Sequence, residues 1–231
     1  MRADETRTKG LDGLRMAIEG DTELAGLLRE VAPRLDEDPG HDLEHCLRVA
    51  MWTIRLADGT IDWRRAVAAA LLHDIINPPK DSPQRALASE RSADEARRVL
   101  PRFGFDAEAV EDIALAIRDH SFSRGATPER PLGKALQDAD RLEALGALGV
   151  FRTISTGTRM GGRYFHSADP WAQRRPLDDH AHSVDHFFTK LLGLPDTMNT
   201  EPGRREAERR AEFMRQLLRQ LGEELGQPPP F

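Results

Sequence analysis

Apolar positions recur at helical spacing from residue 41 onward. In His41–Ala57, Leu43, Leu47, Ala50, Ile54 and Ala57 follow one another at steps of four and three, so one face of a helix is apolar. Asp38-Pro39-Gly40 supplies a turn before it. Trp63 to Leu72 is apolar on nearly every side, the pattern of a central buried helix. It runs into His73-Asp74 before Asn77-Pro78-Pro79 stops it.

Ser92 and Glu95 have capping-box spacing for a helix running to about Leu100. Asp106 can cap another that carries Val110, Ile113 and Ile117 towards His120. A further helix is expected from Leu132 to about Phe151, and two more near His182–Leu192 and Arg204–Leu225. Residues 156–179 mix Gly, Arg, Pro and aromatics without periodicity and read as a long loop. No internal repeat is visible, and the Gln227–Phe231 tail is a proline-rich end that cannot continue a helix. The expected fold class is all-α: one domain over 1–231, with a core at about 40–155 and a C-terminal helical extension at about 180–225.

Composition agrees with helices. Of 231 residues 39% are hydrophobic and 31% charged, as in ordinary globular chains, and only 6% are aromatic. A formal charge of -6 disfavours tracking along extended nucleic acid but leaves room for a local basic pocket. The single cysteine, Cys46, cannot form an intrachain disulfide, and the first residues carry charges where a signal peptide needs an apolar core. No run approaches the roughly 18 apolar residues of a membrane span. A cytoplasmic location is the default expectation.

The chemistry concentrates at His73-Asp74. Burying an ionised carboxylate at the end of an apolar helix is costly unless a cation or donors compensate. A divalent metal removes that difficulty, with His45 and Asp140, each on a neighbouring helix, as further ligands.

The order H…HD…D resembles the HD-domain metal-dependent phosphohydrolases. HDLEHCLRV, LLHDIINPPK, the DHSFS segment and QDADRLEALGALG resemble a bacterial branch that includes manganese-dependent nucleoside triphosphate pyrophosphohydrolases, over roughly residues 40 to 220. The resemblance implies an HD-domain helical bundle with His45, His73, Asp74 and Asp140 as metal ligands. The metal expected is Mn2+, with Mg2+, Co2+, Fe2+ and Ni2+ as alternatives. The implied reaction takes a (deoxy)nucleoside triphosphate to monophosphate and pyrophosphate, with Asp74 orienting the attacking water while it remains a ligand.

Around these residues, Lys80 on the Pro78-Pro79 turn can meet phosphate oxygens, with Asn77 beside it. His120 can protonate a leaving oxygen, contact phosphate, or ligate a second metal, in that order of preference. Arg141 and Arg159 (with Arg163) are candidates to pair with phosphate. His41 either caps the first helical turn or walls the substrate pocket, and Glu44 and Asp42 face solvent or orient a ligand imidazole. His166, His180, His182 and His186 show no ligand spacing, so surface or interhelical roles are expected.

The strongest rival motif is His41-x-x-Glu44-His45, which matches an inverted zinc-peptidase pattern but leaves His73-Asp74 and the DADRL segment without a role. Among enzymes the alternative is a nucleotide phosphomonoesterase or phosphodiesterase; no GYP follows His120, which disfavours the cyclic-dinucleotide branch. Outside enzymes the alternative is a nucleotide-binding regulatory module, weakened by retention of all four ligands. The expected partners are a small phosphorylated nucleotide and, in assembly, at most a second copy of the chain; no extended nucleic acid and no membrane are expected.

Overall fold

The computed structural model describes residues 10–231 except 36, 37, 39, 79–81, 122 and 123, together with the side chains of all described residues but 83 and 85. Among these residues there are ten α-helices and no strands, so the fold is all-α. No helix is long and apolar enough to cross a membrane. The chain divides into two compact units, Met1–Asp140 and Arg141–Phe231.

The first unit opens with two helices that the sequence reading missed, α1 (Gly10–Gly20) and α2 (Thr22–Val31). Their signal was present. Leu14, Ala17 and Ile18, then Leu24, Leu27 and Val31, are buried at helical spacing, and the Asp21 side chain caps α2 by accepting from Leu24 N at 2.9 Å. Helix α3 (Leu43–Leu56) and helix α4 (Trp63–Leu72) follow. Every residue from Ala66 to Leu72 is fully buried, and α4 packs against α2 and α3 as well as α5 (Ala88–Val99) and α6 (Ala107–His120). Four alanines on α4 make this possible, because small side chains let several neighbours approach one axis closely.

Ser92 corrects one expectation. It lies in the middle of α5, fully buried, and its hydroxyl accepts from Ile76 N at 3.1 Å, holding the turn after α4 instead of capping a helix. Asp106 does cap α6, accepting from Ala109 N at 2.8 Å.

The helix expected from Leu132 to Phe151 is two, α7 (Pro131–Leu142) and α8 (Gly146–Arg159). The chain turns through 143–145 and restarts at Gly146, whose φ of +72° favours glycine. Glu, Ala and Leu are all good helix formers, so composition hid the break. Helix α8 also extends into the expected loop. Beyond it, residues 160–182 have no helix but are pinned: Arg175 forms a bidentate pair with the fully buried Asp185, whose Oδ2 also accepts from Asp178 N at 2.7 Å. Helix α9 (Ser183–Thr189), a 3-10 segment (Leu191–Thr197) and the long α10 (Glu201–Leu225) complete the second unit, in which α8 packs against both α9 and α10.

Candidate metal centre

Every side chain of the candidate centre belongs to the first unit. His45 stands in the first turn of α3, where Asp42 is the N-cap: its Oδ1 accepts from His45 N at 2.8 Å and so fixes the backbone from which the imidazole projects. His73 is the C-cap of α4, and Asp74 lies in the turn that follows. His120 ends α6, and Asp140 comes from α7.

The polar atoms converge. His45 Nε2 and His73 Nε2 are 3.2 Å apart, and Asp140 Oδ1 is 3.6 Å from the first and 3.9 Å from the second. Asp74 Oδ2 lies 3.6 Å from His73 Nε2, while Asp74 Oδ1 lies 3.5 Å from His120 Nε2. Two overlapping triads result, His45–His73–Asp140 and His73–Asp74–His120. Ligand atoms about 2.1 Å from one cation, at octahedral or tetrahedral angles, are roughly 3.0–3.5 Å from each other, so the first triad is already close to a coordination shell.

Two of the histidines are held in one tautomer. His73 Nδ1 donates to Ala70 O at 2.7 Å, and His120 Nδ1 donates to Ile117 O at 2.6 Å. A carbonyl oxygen only accepts, so the hydrogen sits on Nδ1; His73, when neutral, therefore turns the Nε2 lone pair to the centre. The carbonyl ends of α4 and α6 both meet here, and their partial negative charge favours a cation.

Protonation states follow from burial and neighbours. Burial lowers the His73 imidazole to about 4, and attraction by Asp74 offsets this only in part. Burial alone would raise Asp74, but His73, His120 and His41 outweigh it and hold the carboxyl well below its usual range. Burial likewise acts to raise Asp140, and His73, His45 and His120 bring it below. For His120 burial acts to lower the value, but the contact with Asp74 prevails and raises it. Two ionised carboxylates beside the dry, neutral imidazole of His73 form a donor set that fits a divalent first-row ion. Burial pushes the adjacent Cys46 thiol up, which makes it inert.

His41 precedes α3 and is not on it, so the two histidines of the rival peptidase motif do not share a helix, although their rings lie 5.9 Å apart. Because Asp42 is the cap, His41 does not cap the turn; its Nε2 lies 3.9 Å from Asp74 Oδ2. Glu44 pairs with Arg15 of α1. Asn77 is half-buried just past the Asp74 turn, and Lys80 lies outside the described residues. Within the second unit, Arg141 donates to the carbonyl of Thr197 and Arg159 is exposed in the last turn of α8, not in a loop. His186 pairs with Asp179 at 2.8 Å, and His166 Nδ1 accepts from Asp169 N at 3.1 Å. Sequence reasoning missed the carbonyls of Ala70 and Ile117, although each lies three residues before a histidine at a helix end.

The HD domain family model matches residues 42–145, a span that contains His45, His73, Asp74, His120 and Asp140. The YpgQ protein of Bacillus subtilis is 35% identical over 181 residues, covering 76% of this chain and 80% of that protein. Its crystal structure in complex with ADP matches with a TM-score of 0.65 at 30% identity, over 96% of this chain and 97% of that one. An HD-superfamily hydrolase from Bacillus thuringiensis gives a TM-score of 0.65 at 28% identity, over 92% and 98% of the two chains. A predicted HD superfamily hydrolase from an uncultured Thermotogales bacterium gives 0.57 at 30% identity, over 86% and 89%.

Proposed function

Because the chain belongs to the HD-domain superfamily of metal-dependent phosphohydrolases, we propose that it hydrolyses nucleoside triphosphates to the monophosphate and pyrophosphate, with Mn2+ as its metal. The observation that carries this reading is the convergence of the buried His45 and His73 with the half-buried Asp74 and Asp140. The ADP bound by the YpgQ relative supports a nucleotide as the ligand class.

What a divalent cation supplies when bound is Lewis acidity towards phosphoryl oxygen and water. The chain does the rest. His45 and His73 present imidazole nitrogens, and the depressed basicity of His73 keeps it unprotonated through the neutral range. Asp74, ionised and facing both His73 and His120, is the group we assign to orienting the attacking water. His120 holds a proton on Nε2 when charged, because its Nδ1 hydrogen is committed to Ile117 O; that Nε2 proton is the one available to a leaving phosphate oxygen. His41, Asn77 and Lys80 flank Asp74 in space or in sequence, and we assign them to the phosphate chain.

The test is hydrolysis of deoxynucleoside and ribonucleoside triphosphates by the manganese-loaded protein in water enriched in oxygen-18. Attack at the α phosphorus puts the label on the monophosphate and releases unlabelled pyrophosphate. Orthophosphate as first product would replace this reading by a phosphomonoesterase. Lys80→Ala should retain its metal and lose turnover; activity within twofold of the parent removes Lys80 from the site.

A further inference from the structure

Gly133, Gln137 and Asp140 follow one another on α7 at steps of four and three, so they share one face of that helix. At the first of them the helix runs close to α6: a Cβ added to Gly133 would stand 3.6 Å from Ala116 Cα. The last, Asp140, enters the candidate metal centre. Gln137 lies between them and is buried. Its Nε2 donates to two backbone carbonyls, Asp119 O at 2.8 Å and Ala126 O at 2.9 Å. A carbonyl oxygen only accepts, so the two partners fix the orientation of the amide and commit both of its hydrogens.

Asp119 O belongs to the peptide that joins Asp119 to His120. Helix α6 ends at His120, and Ser121 is extended with a ψ of 128°, so carbonyls of the last turn lose their helical donors. Side chains replace them: His120 Nδ1 donates to Ile117 O, and Gln137 donates to Asp119 O. A helix continued past His120 would reclaim both carbonyls for backbone donors and release the imidazole. The second bond of Gln137, to Ala126 O, holds the returning chain against the same helix end. We infer that Gln137 is a positioning residue, which clamps the C-terminal end of α6, and with it the His120 ring, in register with Asp140 on its own helix. One face of α7 then sets both a candidate metal ligand and the proposed acid. The consequence for turnover rests on the role of His120 proposed above, whereas the clamp itself does not.

Gln137→Met keeps the length of the side chain and removes both hydrogens, and Gln137→Glu keeps the shape but turns oxygen towards the two carbonyls. Hydrogen exchange of the full chain, read by mass spectrometry on its peptides, should be faster by about tenfold or more at the C-terminal end of α6 in both variants, with α4 unchanged. Turnover is the second readout. With metal content equal to the parent's, Gln137→Met should lower kcat on a nucleoside triphosphate by about 10- to 100-fold and change KM little. The loss should be smaller on a p-nitrophenyl nucleotide ester, whose leaving group needs no proton, and adding His120→Gln should give a double variant no worse than His120→Gln alone. Unchanged exchange at the end of α6 overturns the clamp, and so does faster exchange throughout the chain, α4 included, in both variants. Equal losses on the two substrates, or losses that multiply in the double variant, overturn the positioning role. Equal losses for His120→Gln by itself would instead remove the acid reading, and the exchange rates would still decide for or against the clamp.

Discussion

Acid should weaken the metal-free protein through His73 over a window that its environment fixes. The imidazole is fully buried, and its value in the fold is about 4 against 6.5 for the free group. Between these two values the unfolded chain binds a proton that the folded chain refuses. Stability therefore rises with pH across the window and is lost as pH falls from 6.5 towards 4. With those two values, the linkage relation gives a loss of about 2 kcal/mol between pH 7 and pH 5. Asp74 and Asp140 do not contribute there. Their folded values lie below the ordinary carboxylate value, so their stabilisation is present above it and is lost only at lower pH. His120 acts in the opposite direction: its folded value is raised, so its contribution is present below 6.5 and lost as pH rises through the folded value.

His73→Gln isolates the effect, because glutamine does not titrate while His120 remains in both proteins. Urea unfolding in chelator, followed by tryptophan fluorescence, yields the stability of parent and variant at pH 7 and pH 5. The difference between the two proteins should move by about 2 kcal/mol in favour of the variant at the lower pH. A difference that moves by less than about 0.5 kcal/mol would mean that His73 takes up its proton without penalty in the fold, and the dry nitrogen described above would be wrong.

His45→Ala and Asp140→Ala should each reduce metal affinity by more than about 100-fold, beyond the effect typical of residues that only orient a ligand; elemental analysis after purification without chelator reads this out. Ser92→Ala leaves Ile76 N without its acceptor and should cost about 1–3 kcal/mol in urea unfolding. Gly149→Ala would place a Cβ 2.2 Å from Ala144 O and 2.9 Å from Met214 Cε, so a destabilisation of about 1–3 kcal/mol and a lower Tm are expected; an unchanged Tm would contradict the close approach of α8 and α10. His120→Gln should keep its metal and lose about 10²–10⁴ in kcat, with a smaller loss on a p-nitrophenyl nucleotide ester whose leaving group needs no proton. Equal losses on both substrates would exclude His120 as the acid.

The helices around the centre were legible because burial and periodicity coincide there. Trp63–Leu72 matches α4 residue for residue, and α3 begins where the Asp42 cap allows. What the sequence hid has local physical causes. Ser92 and Glu95 have a capping-box spacing that also occurs inside helices, and only the packing of α5 on the turn after α4 shows Ser92 accepting from Ile76 N. The break at 143–145 lies among strong helix formers and is enforced by tertiary packing, with Arg210 donating to Leu142 O. The four candidate ligands stood out as polar residues on apolar helices. Their supports, the carbonyls of Ala70 and Ile117, have no side-chain signature at all.

The placement of the His-Asp pair at a helix end has a geometric reason. Consecutive side chains on a continuing helix diverge by about 100° around its axis, so a His-Asp pair in the middle of α4 could not bring both groups to one point. Helix α4 stops at Leu72, and the chain turns at once: Ile75 N donates to Leu72 O at 3.3 Å, and Ile76 N is taken by Ser92 of α5. Asp74 thereby leaves the helical spiral and comes within 3.6 Å of His73 Nε2. The same termination leaves carbonyls of the last turn without helical donors, and His73 Nδ1 satisfies that of Ala70 while fixing its own ring. His120 does the same for Ile117 at the end of α6. Each histidine thus meets a backbone demand with one nitrogen and faces the centre with the other. Extending either helix by one turn would supply a backbone donor to that carbonyl, release the ring, and remove the site while improving the helix.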